Sequence, residues 1–237
     1  AGFDWRESAA WALALLEHLE GRVRLRGVYT HFHSADAPDA TPTATQWQRF
    51  QDALAQLPMS REDLIVHACN SAAVMRWPEY AADAVRPGIY LYGGDPAPDV
   101  AGLVRPRPVV SIHARIVRIK EAPPASTVGY GSLHAARGWE RWATLPLGYG
   151  DGFPRRLSGR AEALVRGRRV PFVGRTSMDM TVVDISSVPD VRVGEVATVI
   201  GRDGADEILL DDVAAQAETI GYEILTGLRP RLPRVER

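Results

Sequence analysis

Seven short segments carry side chains that could do chemistry. Thr30-His31-Phe32-His33 ends an apolar run, with Asp36 three residues on. In an extended strand, residues two apart share a face, so one reading of His31, His33 and Asp36 is a metal site. The other, favoured because no further ligand is at hand, is a hydrogen-bonded histidine at a strand end. Asn70-Ser71 offers a hydroxyl and helix-terminal amides at a strand-to-helix junction, which makes either a phosphate seat or a plain N-cap. In Arg86-Pro87-Gly88-Ile89, Gly88 lets a ligand come close to the backbone, and Arg86 on its own reads as an ion-pair residue. Tyr130 (Val128-Gly129-Tyr130-Gly131) and Tyr149 (Gly148-Tyr149-Gly150-Asp151-Gly152) are held between glycines. Such glycines bare a phenol hydroxyl, or simply mark turns with packing tyrosines. Ser177-Met178-Asp179-Met180 could present backbone amides, and Tyr222 stands between two helical runs, where packing is its default role.

These segments need elements to hold them. Asp4 with Glu7 is a capping-box pattern, followed by an apolar stripe of Trp11, Leu15 and Leu19 and a stop at Gly21. Val23 to Tyr29 predicts a strand. Thr43 with Gln46 predicts the start of a second helix, with Trp47, Phe50, Leu54 and Leu57 on one face and Pro58 as its stop. Leu64 to Ala68 reads as a strand buried on both faces, and Ala84-Val85 as a brief third strand. Residues 1–104 thus alternate helix and strand with polar groups just after each strand, the α/β pattern. Three strands leave the sheet open, or form part of a larger barrel. Residues 105–237 change rhythm: Val109–Ile119, Trp142–Leu147, Ala163–Val165, Val170–Val173, Met180–Ile185 and Glu195–Ile200 predict an antiparallel β domain. Asp211 or Asp212 then caps a helix to Glu218, and a second helical stretch runs to Leu228.

Composition narrows the function classes. A net charge of −1 supplies no field that would draw in nucleic acid or a membrane surface, and Arg166, Arg168 and Arg169 read as a solvated hairpin tip. The one cysteine, Cys69, cannot make an internal disulfide, so a reducing cytoplasm fits. No signal peptide is visible. There is one lysine, Lys120, against 27 arginines, so amine chemistry has a single candidate.

Seven segments in order, Thr30-His31-Phe32, Asn70-Ser71-Ala72, Arg86 to Gly93, Val128 to Gly131, Gly148 to Gly152, Gly174 to Met180 and Thr219 to Thr226, together resemble alanine racemase over essentially the whole chain. The resemblance implies α/β plus all-β architecture: the last three strands of an incomplete (β/α)8 barrel, then the β domain. It implies pyridoxal 5'-phosphate as cofactor, its phosphate held by Ser71, Tyr222 and the amides of Gly88 and Ile89, with Asn70 and His31 alongside. Arg86 would face the pyridine nitrogen. A guanidinium does not give up its proton, so that nitrogen stays unprotonated and the ring is a weaker electron sink. Tyr130 would be the base for L-alanine, linked through His31 to Arg86. The Met178 backbone would meet the substrate carboxylate and Tyr149 would narrow the entrance. Tyr130 and Met178 would serve the other subunit's site, which implies a head-to-tail homodimer.

The same resemblance implies a lysine bonded to the cofactor and an arginine near its phenolic oxygen, both upstream of residue 1. Lys120 falls in the first β run, where a solvated strand lysine is expected. The chain alone is therefore expected not to racemise alanine. The alternatives are a non-catalytic association module derived from a racemase, and a hydrolase with a metal at His31, His33 and Asp36.

Overall fold

The computed structural model describes residues 5–19, 21–57, 59–100 and 104–236, and forms two compact units. One comprises Ala1–Leu91 with Asp95–Arg105, the other Tyr92–Gly94 with Pro106–Arg237. Asp4 and Pro58, expected to start the first helix and stop the second, lie outside the described residues.

The first unit runs α1 (Trp5–His18), β1 (Gly27–Tyr29), α2 (Thr41–Leu54), β2 (Ile65–His67) and α3 (Ser71–Arg76). β1 and β2 pair in parallel, Val28 opposite Val66, and a single parallel bridge joins His67 to Ala84 where a third strand was expected. The strand expected from Val23 begins only at Gly27, because its partner spans just three residues. The strands approach closely there: a Cβ on Gly27 would lie 2.6 Å from the Ile65 carbonyl oxygen. The core gathers Phe32, Phe50, Leu64, Val66 and Cys69, with Trp47 and Tyr80 packed against Phe32. β2 is buried on one side only. Val66 is inside, while Ile65 is 55% exposed and corrects the two-sided burial expected of this run. The α1 stripe is likewise open, with Trp11 68% exposed, since among the described residues α1 packs chiefly on α2.

The second unit holds β3 (Ile112–Arg115), β4 (Arg118–Ala122), β5 (Thr127–Val128), β6 (His134–Ala135), β7 (Glu140–Leu145), β8 (Glu162–Val165), β9 (Arg168–Val173), β10 (Thr181–Asp184), β11 (Val196–Asp203) and β12 (Asp206–Ile208). Eight of them form one antiparallel sheet in the order β12-β11-β8-β9-β10-β7-β4, with β3 also on β11. β11 bonds to β3, β8 and β12, and that central place explains its unbroken burial from Ala197 to Gly201. β5, β6 and β12, too short to show a period, were not expected. The β8–β9 hairpin turns through Arg166 and Gly167, both at positive φ. Its arginines are spent on protein groups: Arg166 on Glu195, Arg169 on Asp206 and Glu162, and Arg168 on the Ser187 carbonyl.

Two helices follow, α4 (Leu210–Gln216) and α5 (Gly221–Gly227). Leu209, not an aspartate, is the N-cap of α4. Asp212 sits at the third helical position and accepts from the Leu209 amide at 3.0 Å, the reciprocal half of a capping box. Gly152 crosses the end of α5. It holds φ +93°, and a Cβ there would lie 1.9 Å from the Gly227 carbonyl oxygen. Gly152→Ala must strain the backbone and part the two segments at once, and is expected to cost roughly 2–4 kcal/mol. A thermal melt of the variant beside wild type measures this.

Candidate active site

In the first unit, the residues after β1 and β2 converge. Asn70 caps α3: its Oδ1 accepts from the Ala73 amide at 3.0 Å. That bond turns Nδ2 toward the Phe32 carbonyl and His31 Nε2, both at 3.4 Å. His31 Nε2 is then an acceptor, with the ring proton on Nδ1. Ser71 is buried, and its Oγ accepts from the Gly88 amide at 2.7 Å and the Tyr90 amide at 3.4 Å. The Ile89 amide between them has no acceptor among the described residues. The space above Gly88 is open, with no atom of the described residues within 4 Å of where a Cβ would be.

Arg86 is tied down on several sides. Its Nη2 donates to the carbonyls of Thr30 at 2.9 Å and Ala68 at 3.3 Å, and Nη1 donates to His67 Nδ1. The guanidinium lies 5.1 Å over the Tyr29 ring, which is stacked on His67. Since arginine only donates, His67 Nδ1 must carry a lone pair and its proton sits on Nε2. His67 is thus an imidazole partner of Arg86 that sequence reasoning did not name.

Gln46 is also reassigned. α2 starts at Thr41, without a side-chain cap from Ala40. The Gln46 side chain instead donates to Thr30 Oγ1 at 3.0 Å and the His31 carbonyl at 2.8 Å, and accepts from the His33 amide at 3.2 Å. It holds the segment that carries His31. His33 turns to the Ser34 hydroxyl, and among the described residues no three histidine, cysteine or acidic side chains are grouped to hold a metal ion. Burial pushes the Cys69 thiol up to about 11, which leaves it a core residue with little thiolate.

In the second unit, backbone crosses backbone where the glycine motifs meet. A Cβ on Gly129 would sit 2.8 Å from the Arg175 amide, and one on Gly174 2.5 Å from the Val128 carbonyl. Tyr130, between Gly129 and Gly131 at φ +76° and +73°, is thereby set out at 72% exposure. The Gly148–Gly152 loop lies on the Ser177–Met178 turn: the Tyr149 amide donates to Ser177 O at 3.1 Å, and the Gly150 amide to Met178 O at 2.7 Å. Tyr149 is partly exposed, and its loop borders a cleft lined also by Phe153, Thr219 and Glu223. Tyr222 occupies the first turn of α5 at 47% exposure. Lys120 stands on the exposed side of β4, its Nζ 5.9 Å over the ring of Trp142.

A parallel βα unit with amide, hydroxyl and guanidinium donors at its strand ends, followed by an antiparallel domain presenting glycine-framed tyrosines, defines a two-part α/β plus all-β chain. Residues 1–96 match the family model "Alanine racemase, N-terminal domain" and residues 109–236 match "Alanine racemase, C-terminal domain". The chain belongs to the alanine racemase family. It is 42% identical over 213 residues to the alanine racemase of Halothermothrix orenii, an alignment that takes in 90% of this chain and 56% of that protein. Among solved structures, the alanine racemase of Streptomyces coelicolor superposes with a TM-score of 0.87 at 35% identity, covering 99% of this chain and 61% of that one. That of Bartonella henselae, solved with covalently bound pyridoxal phosphate, gives 0.82 at 28% identity over 92% and 58%. The chain spans 56% to 61% of the length of these relatives. Among the described residues, no helix is long and apolar enough to cross a membrane.

Proposed function

We propose that this chain carries cofactor- and substrate-binding residues of a cytoplasmic enzyme that interconverts L- and D-alanine with pyridoxal 5'-phosphate and so supplies D-alanine for peptidoglycan. The observation that carries the reading is the donor set around Ser71. Ser71 Oγ accepts from the Gly88 and Tyr90 amides, which leaves its O–H to donate outward, the Ile89 amide beside it is free among the described residues, and no carboxylate joins them. Such a set suits a phosphate dianion, which amides and hydroxyls can hold without a counter-charge. Arg86, with its acceptors at His67, Thr30 and Ala68 occupied, retains further N–H groups for an aromatic nitrogen.

When bound, the cofactor supplies the electron sink that makes the α-proton of alanine removable. Ser71, Gly88, Ile89 and Tyr222 would hold its phosphate and Arg86 its ring nitrogen, with Asn70 orienting His31. Tyr130 would take the proton from L-alanine and return it in the reverse direction. His31 would link that phenol to Arg86. The Met178 amide would hold the substrate carboxylate and Tyr149 would restrict access. Tyr130 and Met178 would act in a partner subunit of a head-to-tail homodimer.

The covalent link needs an amine, and Lys120, on an exposed sheet position over Trp142, is poorly suited. The linking lysine is therefore sought outside these 237 residues. The test expresses the protein with the coding sequence that precedes Ala1, loads it with pyridoxal phosphate, assays alanine racemisation, and maps the lysine labelled on borohydride reduction. Racemisation with label outside this chain is expected. Stoichiometric label on Lys120, or no racemisation, overturns the reading.

A further inference from the structure

The Gly148–Gly152 loop and the Ser177–Met178 turn are joined by two backbone bonds, and one side chain from the chain's end closes over both. Arg231 donates through Nε to Asp151 Oδ1 at 2.6 Å and through Nη2 to Asp179 Oδ1 at 2.7 Å, and Nη2 also reaches the Met178 carbonyl at 3.4 Å. Asp151 is the inner anchor: its side chain is 8% exposed, and its other oxygen accepts from the Gly148 amide at 2.8 Å. The tail carrying Arg231 is fastened as well, since the Arg229 amide donates to the Asp151 carbonyl at 2.9 Å. Gly148 and Gly150 make the approach feasible, because Cβ atoms there would fall 2.3 Å from Ser177 O and 2.9 Å from Met178 O.

Peptide planarity turns these contacts into an orientation. The Met178 N–H belongs to the same trans peptide as the Ser177 carbonyl and points the opposite way. That carbonyl is held by the Tyr149 amide. The Met178 N–H is thus aimed away from the loop, and it has no acceptor among the described residues. The next peptide is held at Met178 O by Gly150 and by Arg231.

We propose that Arg231 is a positioning residue which, by bridging Asp151 and Asp179, locks the Met178 amide and the Tyr149 loop into one rigid edge that receives the substrate carboxylate. The carboxylate role of Met178 rests on the function proposed above; the clamp itself does not. A forked guanidinium can serve two carboxylates at once, whereas a lysine ammonium offers a point charge.

The test uses the protein expressed with its upstream coding sequence and loaded with pyridoxal phosphate, as wild type, Arg231→Gln, Arg231→Lys and Asp179→Asn. Arg231→Gln is expected to raise KM for alanine about tenfold with kcat within about threefold, as lost orientation of a binding group weakens binding before chemistry. Arg231→Lys should recover part of the loss. Hydrogen exchange at the Tyr149 and Gly150 amides should speed up about tenfold while amides of β8 and β9 keep their rates. Asp179→Asn leaves the Arg231–Asp151 pair intact, and should move KM and exchange the same way by less; it carries the test if Arg231→Gln does not fold. Unchanged exchange at Tyr149 and Gly150, or a fall in kcat at constant KM, overturns the proposal. Wild type that fails to racemise while exchange responds as expected overturns the functional reading and leaves the clamp standing.

Discussion

Replacing Arg86 with glutamate, in the protein expressed with its upstream coding sequence, is expected to slow alanine racemisation by about two to three orders of magnitude, the scale of losing a preorganised electrostatic contact. A second effect separates the electronic role from a structural one. A carboxylate beside the ring nitrogen favours its protonated form, since an opposite charge nearby stabilises a cation. The electron sink then strengthens and protonation away from the α-carbon gains ground. Slow transamination to pyruvate and a new long-wavelength absorbance with alanine should therefore appear. Arg86 also donates to Thr30 O, Ala68 O and His67 Nδ1, so any substitution releases these acceptors and costs stability. Arg86→Met controls for that, because it breaks the same bonds without adding a charge. It should lose activity and stability but form no pyruvate. Stopped-flow spectra and a lactate dehydrogenase-coupled pyruvate assay decide the matter. If the glutamate variant makes no pyruvate and no new absorbing species, Arg86 acts only as a clasp between strand ends.

The second large effect concerns Tyr130. Tyr130→Phe removes one hydroxyl from a side chain that is already 72% exposed, so folding should be nearly untouched. Loss of a general base typically costs 10²–10⁴-fold, and the loss should be one-sided. Exchange of the α-proton of L-alanine into deuterated water should fall by about that factor, while exchange from D-alanine, served from the opposite face, should fall far less. Net racemisation must slow equally in both directions, because the equilibrium between enantiomers is fixed. Proton NMR of each enantiomer in separate incubations measures this. Equal loss of the two exchange rates would mean that Tyr130 only packs.

Much of this was legible in the residues. The change from alternating helix and strand to short β runs near residue 105 and the capping role of Asn70 are local signals, and both are present. The meeting of Ser71 with the Gly88 amide was not legible in the residues themselves; only the resemblance grouped them. What was misread depended on partners distant in sequence. Thr43-x-x-Gln46 has the form of a helix start, yet Gln46 is taken by Thr30, His31 and His33, 13 to 16 residues away. Leu64 to Ala68 is uniformly apolar apart from His67, and composition alone cannot tell that only one face is covered. His67 escaped notice because a lone histidine in a strand gives no sign of an arginine 19 residues on. Arg231 lies past the last helix, in a tail whose composition resembles a solvated end, and its two aspartates are 80 and 52 residues away.

The glycine crossings have a consequence for how this domain tolerates change. Where Gly129 meets Arg175, Gly148 meets Ser177 and Gly152 meets Gly227, the separation is set by main-chain atoms in contact. No side chain acts there as a spacer that could be exchanged for a longer or shorter one. Repacking the sheet interior, say around Leu164 or Ile200, would then alter how firmly the domain holds together without altering the gauge between its loops. A saturation-mutagenesis map should accordingly be sharply two-toned: graded tolerance across the apolar interior, where volumes can trade against one another, and near-total intolerance at a few glycines that contribute almost nothing to buried area.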